Sequence, residues 1–298
     1  MITSSDRPDY RELRLEAPRH HADAVCDFII QYITGGLVLD EEEQSSKTGI
    51  TFYVPKHEEK EMLTHLAQFV SSLEGMSSFA EGDIVSRETQ GSEWEEAYRR
   101  SVTPVIVGDD IIVRPPWSDP MSAYKHQIII EPKMAFGTGR HETTRSCLAV
   151  IHNRFQTGAS FLDLGCGSGI LSILAAQMGA RYIKAIDYDL TAVDNCRENF
   201  VVNDVQARHD IVFGSIEKTT GDEPYNFVCS NIIKTTILDM LPRLRTLTKP
   251  GGLLVMSGLL NQDEADISNA LTRLGLTDFT ILRDGDWLTF TVSATVTD

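Results

Sequence analysis

Three glycines on alternate positions, Gly165, Gly167 and Gly169, follow directly on the apolar run Phe161-Leu162-Asp163-Leu164 and lead into a helix-forming stretch from Ile170. Glycine permits backbone conformations closed to other residues and lets a ligand approach the main chain with no Cβ in the way. Such a loop supplies contacts rather than reacting groups. About 20 residues on, Tyr182-Ile183-Lys184-Ala185-Ile186 ends in Asp187, where a β-α-β unit places the carboxylate that accepts hydrogen bonds from ribose hydroxyls. Together these residues imply an adenosine-bearing cofactor. A dinucleotide fingerprint would put its third glycine at position 170, which here is Ile170, so the spacing is G-x-G-x-G and disfavours NAD.

Other side chains could act on what that loop holds. The apolar run ending in Val228-Cys229-Ser230-Asn231 brings an amide to the end of a strand, where doubly wound sheets bind ligands. Asn231 is therefore the candidate positioner of a nucleophilic amine, set against a plainer role as cap of a helix starting near Lys234. Upstream, Phe136 offers an aromatic face, and Thr143 and Thr144 offer hydroxyls at a helix start suited to a carboxylate. His141 is a candidate base, with helix capping as its plainer alternative.

These residues must be carried by alternating strands and helices. Strands are expected over 161–164, 182–186, 211–213, 227–231 and 253–257, followed by a helix near 263–274 and a closing hairpin of 279–282 and 287–292. The pattern predicts an α/β fold with a seven-stranded sheet, five strands parallel. The first 90 residues read β-α-β-β-α-β, a ferredoxin-like order with no glycine loop of its own. The expected division is a small α+β domain over 1–90, a structured linker over 91–125 with a short helix carrying Trp94, and a cofactor-binding domain over 126–298.

With 298 residues, 42% of them hydrophobic and 23% charged, the chain can build a full globular core. No stretch approaches the about 20 apolar residues of a membrane span, and the N-terminus lacks the features of a secretory signal, so the expected location is the cytoplasm. Five cysteines at 26, 147, 166, 196 and 229 show neither C-x-x-C nor zinc spacing, which argues against metal and disulfides. A net charge of −16 disfavours direct nucleic-acid binding and favours a basic protein partner. Residues 1–90 hold 8 Lys/Arg against 17 Asp/Glu, so that surface is especially acidic.

The string D-x-G-x-G-x-G at 163–169 with the acidic turn at Asp187 resembles the class I S-adenosylmethionine-dependent methyltransferases. The longer segment Ala135-Phe136-Gly137-Thr138-Gly139-Arg140-His141-Glu142-Thr143-Thr144, with Trp94 and Pro116-Trp117 upstream, is similar to the PrmA family, which methylates ribosomal protein L11. The resemblance spans nearly the whole chain. It implies S-adenosyl-L-methionine as cofactor, with Thr144, Gly165, Asp187 and Asn231 as its contacts. It further implies trimethylation of lysine side chains and of an N-terminal α-amine, and substrate recognition by the N-terminal domain. Thr144, Gly165, Asp187 and Asn231 are expected from both lines, and Phe136 and Gly167 from the residues alone, with Asn231 as the catalytic positioner. Two positions depart from the family pattern: Lys234 follows Asn231-Ile232-Ile233 where a small or apolar residue is usual, and Arg140 replaces a smaller one. A cation beside the target amine would repel a protonated substrate. The competing readings are a lysine methyltransferase of another protein such as the electron-transfer flavoprotein β subunit, an NAD-dependent oxidoreductase, and a non-catalytic cofactor-binding protein.

Overall fold

The computed structural model describes residues 10–33, 37–40, 45–73, 75–76, 78–89, 99, 102–131 and 137–294. The chain forms two compact units, residues 1–103 with 132–134, and residues 104–131 with 135–298.

In the first unit, alternating polar and apolar residues make β1 (Tyr10–Pro18), whose Leu13, Leu15 and Ala17 are buried. It is followed by α1 (Arg19–Tyr32), β2 (Leu37–Asp40), β3 (Lys47–Pro55), α2 (Glu59–Ser72) and β4 (Val85–Thr89). The sheet order is β2-β3-β1-β4, with every neighbouring pair antiparallel. Leu13 lies opposite Phe52 and Leu15 opposite Ile50, and this apolar row packs with Val25 and Ile29 of α1 and Leu66 and Val70 of α2. The expected helix around Trp94 lies outside the described residues.

The second unit opens with a small sheet of β5 (Val105–Val107), β6 (Ile111–Arg114) and β7 (His126–Ile129). Thus 104–125, read from sequence as linker, packs with the larger unit. Next come α3 (Glu142–Arg154), β8 (Ser160–Leu164), α4 (Ile170–Gln177), β9 (Tyr182–Asp187), α5 (Leu190–Val202) and β10 (Arg208–Phe213). The chain finishes with β11 (Tyr225–Asn231), α6 (Lys234–Leu247), β12 (Thr248–Leu260), α7 (Glu264–Arg273), β13 (Phe279–Asp284) and β14 (Trp287–Ser293).

These seven strands form one sheet in the order β10-β9-β8-β11-β12-β14-β13. It is parallel from β10 to β12, and β14 then pairs antiparallel with both β12 and β13. Every residue of β8 is buried, because helices cover both faces. Phe161 faces a core with Cys147, Leu148, Ile173 and Cys229, while Leu162 and Leu164 face one with Ile186, Ile237 and Leu241. Strand order reverses between β8 and β11. Their adjacent carboxyl ends therefore open a crevice, and the glycine loop and Asn231 both emerge there.

Candidate functional site

Gly165 follows β8 with φ +78°, a left-handed conformation costly for any residue with a Cβ. A Cβ there would also lie 2.3 Å from the Ile232 Cγ2, on the segment leaving β11. The Gly165 and Cys166 N–H groups both donate to the Ile186 carbonyl, at 2.9 and 3.1 Å, so the loop is tied to β9 from its first residues. Gly167 N–H donates to Asp187 Oδ2 at 2.9 Å, and Asp189 N–H donates to Oδ1 at 3.0 Å. Asp187 thus staples the loop it was expected to serve, with one lone pair of each carboxylate oxygen left over.

The loop is also tied to the segment before α3. The Ser168 hydroxyl donates to the Gly137 carbonyl at 2.6 Å, and a Cβ on Gly137 would stand 2.7 Å from that same Ser168 Oγ. Glycine at 137 lets the Ser168 side chain meet that backbone this closely. Neither this contact nor the part played by Ile232 was signalled by the sequence, since both join residues far apart in the chain.

A cleft of about 220 Å³ lies at the carboxyl ends of the strands, lined by Gly165, Asp187, Tyr188, Ser215, Ile232 and Ile233 among others. Tyr188 and Ile233 are 80% and 67% exposed, large side-chain surface left open to water at the edge of a largely apolar cleft. Two expected residues, Gly165 and Asp187, therefore share one cleft. Tyr188, Ser215 and Ile232 are further lining residues, of which only Tyr188, next to the acid, could have been found by position.

Asn231 ends β11 opposite Ser257 of β12 and is half-buried. The cap of α6 is Ile233, with no side-chain cap bond, and the Asn231 amide bonds to no described residue. The capping alternative therefore fails. Thr144, in the first turn of α3, is buried, and its hydroxyl has no hydrogen-bond partner among the described residues. Its neighbour Thr143 is committed: its hydroxyl lies 2.7 Å from His141 Nδ1, which also accepts the Thr143 N–H at 3.3 Å. His141 is the cap of α3, and its ring meets Trp287 edge-on at 4.7 Å, so its plainer role as a capping and packing residue is the one observed. Phe136 lies outside the described residues.

Asp163, two residues before Gly165, is fully buried; its Oδ2 accepts the Ser172 hydroxyl at 2.6 Å, and its Oδ1 has no partner among the described residues. Burial pushes its pKa up to about 7, against the Ser172 hydrogen bond and with help from the Asp187 charge. Two buried polar atoms, Thr144 Oγ1 and Asp163 Oδ1, are thus uncommitted on elements flanking the crevice. Unsatisfied groups of this kind cost about 1–3 kcal/mol each and mark places where a ligand would bring hydrogen bonds.

Lys234, whose charge the sequence set beside Asn231, is held by two carboxylates, Asp263 Oδ1 at 2.8 Å and Asp266 Oδ2 at 3.1 Å. The Arg140 side chain is exposed, and its carbonyl accepts from Arg145 at 2.6 Å.

Residues 9–295 match the family described as ribosomal protein L11 methyltransferase (PrmA). A ribosomal protein L11 methyltransferase of Nitratiruptor sp. is 37% identical over 209 residues, covering 69% of this chain and 70% of that protein. One from Geobacter metallireducens is 29% identical over 292 residues, covering 93% and 96%. The crystal structure of a ribosomal protein L11 methylase from Lactobacillus delbrueckii subsp. bulgaricus shares the fold with a TM-score of 0.58 at 23% identity, covering 65% of this chain and all of that one. With the family matched from end to end and the fold shared, this chain belongs to the PrmA family of protein methyltransferases, enzymes that take S-adenosylmethionine as methyl donor.

Proposed function

We propose that this chain methylates ribosomal protein L11 at amines, namely lysine side chains and the N-terminal α-amine. The observation that carries this reading is the uncommitted Asn231 amide at the end of β11, beside the cleft shared by Gly165 and Asp187. S-adenosylmethionine supplies an electrophilic methyl group on a sulfonium, and the attacking amine needs alignment and a free lone pair. Asn231 fits that need because its carbonyl oxygen can accept an amine N–H and hold the lone pair in line.

The residues present suit the cofactor. Asp187, already oriented by Gly167 and Asp189, would take ribose hydroxyls on its remaining lone pairs. Gly165 and Gly167 give the main chain close access, and the exposed Tyr188 and Ile233 offer flat apolar surface to a base. Thr144, with Phe136 from the preceding segment, would hold the methionine end, for which the uncommitted Thr144 hydroxyl and the α3 N-terminus are suited.

The substrate is a basic protein and not a nucleic acid, in keeping with the net charge of −16. Residues 1–90, in a ferredoxin-like order and the most acidic part of the chain, serve as its recognition domain, and the larger unit, residues 104–131 with 135–298, is the catalytic one. No helix among the described residues is long and apolar enough to cross a membrane, which agrees with action in the cytoplasm. Intact-mass spectrometry of ribosomal protein L11 after incubation with the enzyme and S-adenosylmethionine tests the reading. Increments of one methylene each are expected. An unchanged mass, alongside increments in the electron-transfer flavoprotein β subunit treated in parallel, would move the assignment to that substrate.

A further inference from the structure

Lys234 is the first residue of α6 and stands three positions after Asn231. A cation is disfavoured at a helix N-terminus, where the aligned peptide dipoles already present positive charge. The chain counters it with carboxylates from the far end of β12. Asp263, only 7% exposed at its side chain, accepts Lys234 through Oδ1 at 2.8 Å and the Leu260 N–H through Oδ2 at 2.9 Å, so both its oxygens are engaged. Asp266, on α7, adds the second contact at 3.1 Å. The backbone beneath is equally constrained, since a Cβ on Gly258 of β12 would lie 2.5 Å from the Ile232 carbonyl oxygen. The Asp263 and Lys234 charges also lock each other. Burial works to raise the Asp263 pKa, but the Lys234 and Leu260 hydrogen bonds outweigh it and hold the carboxyl below its ordinary value, while the two carboxylates raise that of Lys234.

We infer that Asp263 and Asp266 together outweigh the charge of Lys234 at the start of α6, and that this compensation lets the site take a positively charged methyl donor and a basic amine. The donor and its product differ at the sulfur by one unit of charge: the sulfonium is a cation and the thioether left after transfer is neutral. An uncompensated ammonium at the start of α6, three residues after Asn231, would oppose the donor and not the product through its long-range field, and it would oppose an approaching protonated lysine. Lys234, Asp263 and Asp266 are then specificity-determining residues, acting through charge rather than through contact with the reacting atoms. The amine half of this inference rests on the proposed function; the donor half rests on the family's cofactor alone.

The test is calorimetry of the full chain with S-adenosylmethionine and, separately, S-adenosylhomocysteine. The double variant Asp263→Asn/Asp266→Asn takes the cluster from a charge of −1 to +1, and a change of two unit charges at about 10 Å and an effective dielectric of about 40–80 should weaken the donor about five- to fifteenfold. Binding of the neutral product should change less than about twofold, and the donor defect should shrink in high salt. Adding Lys234→Met brings the cluster to zero charge and should recover about half of that loss on a logarithmic scale. Equal weakening of donor and product, or no recovery on adding Lys234→Met, would show a merely structural pair and overturn the inference. The exposed Asp266→Asn alone, with a smaller effect of the same sign, serves if the double variant does not fold. In the methylation assay, kcat/KM for the basic protein should fall in the double variant and recover in part in the triple. If the unaltered enzyme methylates no amine, the proposed function fails while the donor-to-product ratio still decides the role of the pair.

Discussion

Replacing Asp163 with asparagine should make the protein's stability less dependent on pH. The wild-type carboxyl is fully buried, with one hydroxyl donor on Oδ2 and none among the described residues on Oδ1, and its pKa stands at about 7 against an ordinary 3.8. A carboxyl whose pKa is raised on folding contributes stability that is complete below about pH 4 and is lost as pH rises through 7. At about 1.4 kcal/mol per unit, the three-unit gap is worth about 4 kcal/mol in all, of which about 2–3 kcal/mol falls between pH 5 and pH 8. Asparagine keeps the shape and an acceptor for Ser172 but brings an amide N–H₂ to the unpartnered side, a cost of about 1–3 kcal/mol that does not vary with pH. The diagnostic is therefore the slope rather than the absolute stability. Urea unfolding of both proteins, followed by far-ultraviolet circular dichroism from pH 5 to pH 8, should show Asp163→Asn gaining about 2–3 kcal/mol on the wild type across that range. Parallel curves would mean that Asp163 ionises at an ordinary pH, and the account of its burial would fall.

Gly165→Ala combines a left-handed φ of +78° with a Cβ 2.3 Å from Ile232, so it should cost about 2–4 kcal/mol and weaken the cofactor; thermal melting and calorimetry would show both, and the added change Ile232→Ala should recover only the steric part. Asn231→Ala should leave the melting temperature nearly unchanged, since the amide bonds to no described residue. It should lower turnover about 10–100-fold with cofactor affinity only moderately reduced, and unchanged steady-state turnover would remove Asn231 from amine positioning. Asp187→Ala should act in the opposite order. It removes the acceptor for Gly167 and Asp189 together with the ribose contact, so calorimetry should show cofactor binding lost before any effect on kcat at saturation appears.

The parts of the fold legible in the sequence are those where burial is two-sided. β8, β9 and β11 stand out as apolar runs because helices cover both faces, and their ends fall within two residues of expectation. β10 was legible only from Ile211 to Phe213. Its first half, Arg208-His209-Asp210, is exposed at the sheet edge and joins β9 through backbone bonds that any side chain permits. β12 runs from Thr248 to Leu260, well beyond the expected 253–257, because Gly251-Gly252 reads as a turn. Gly252 in fact brings β12 so close to β11 that a Cβ would lie 2.8 Å from the Asn226 carbonyl oxygen. The hydrophobic period cannot report a strand held by close backbone approach.

At the site, legibility follows the distance along the chain over which each role is decided. The glycine loop and Asp187 announce themselves because a β-α-β unit fixes their spacing locally. His141 was open between base and cap, and the deciding contacts are one local partner, Thr143, and one remote, Trp287. Lys234 was the least legible. By type and position it is a cation beside the amine site, and on that ground it could equally mark a site that had lost its function. The carboxylates that outweigh it are distant in sequence, Asp266 by 32 residues, and Asp263 is nearly buried only because it holds that ammonium and the Leu260 N–H. A buried carboxylate stripped of its cation is strongly destabilising, so the two residues constrain each other. The lysine at this position therefore carries its own compensation, and its departure from the family pattern is no argument against methyl transfer.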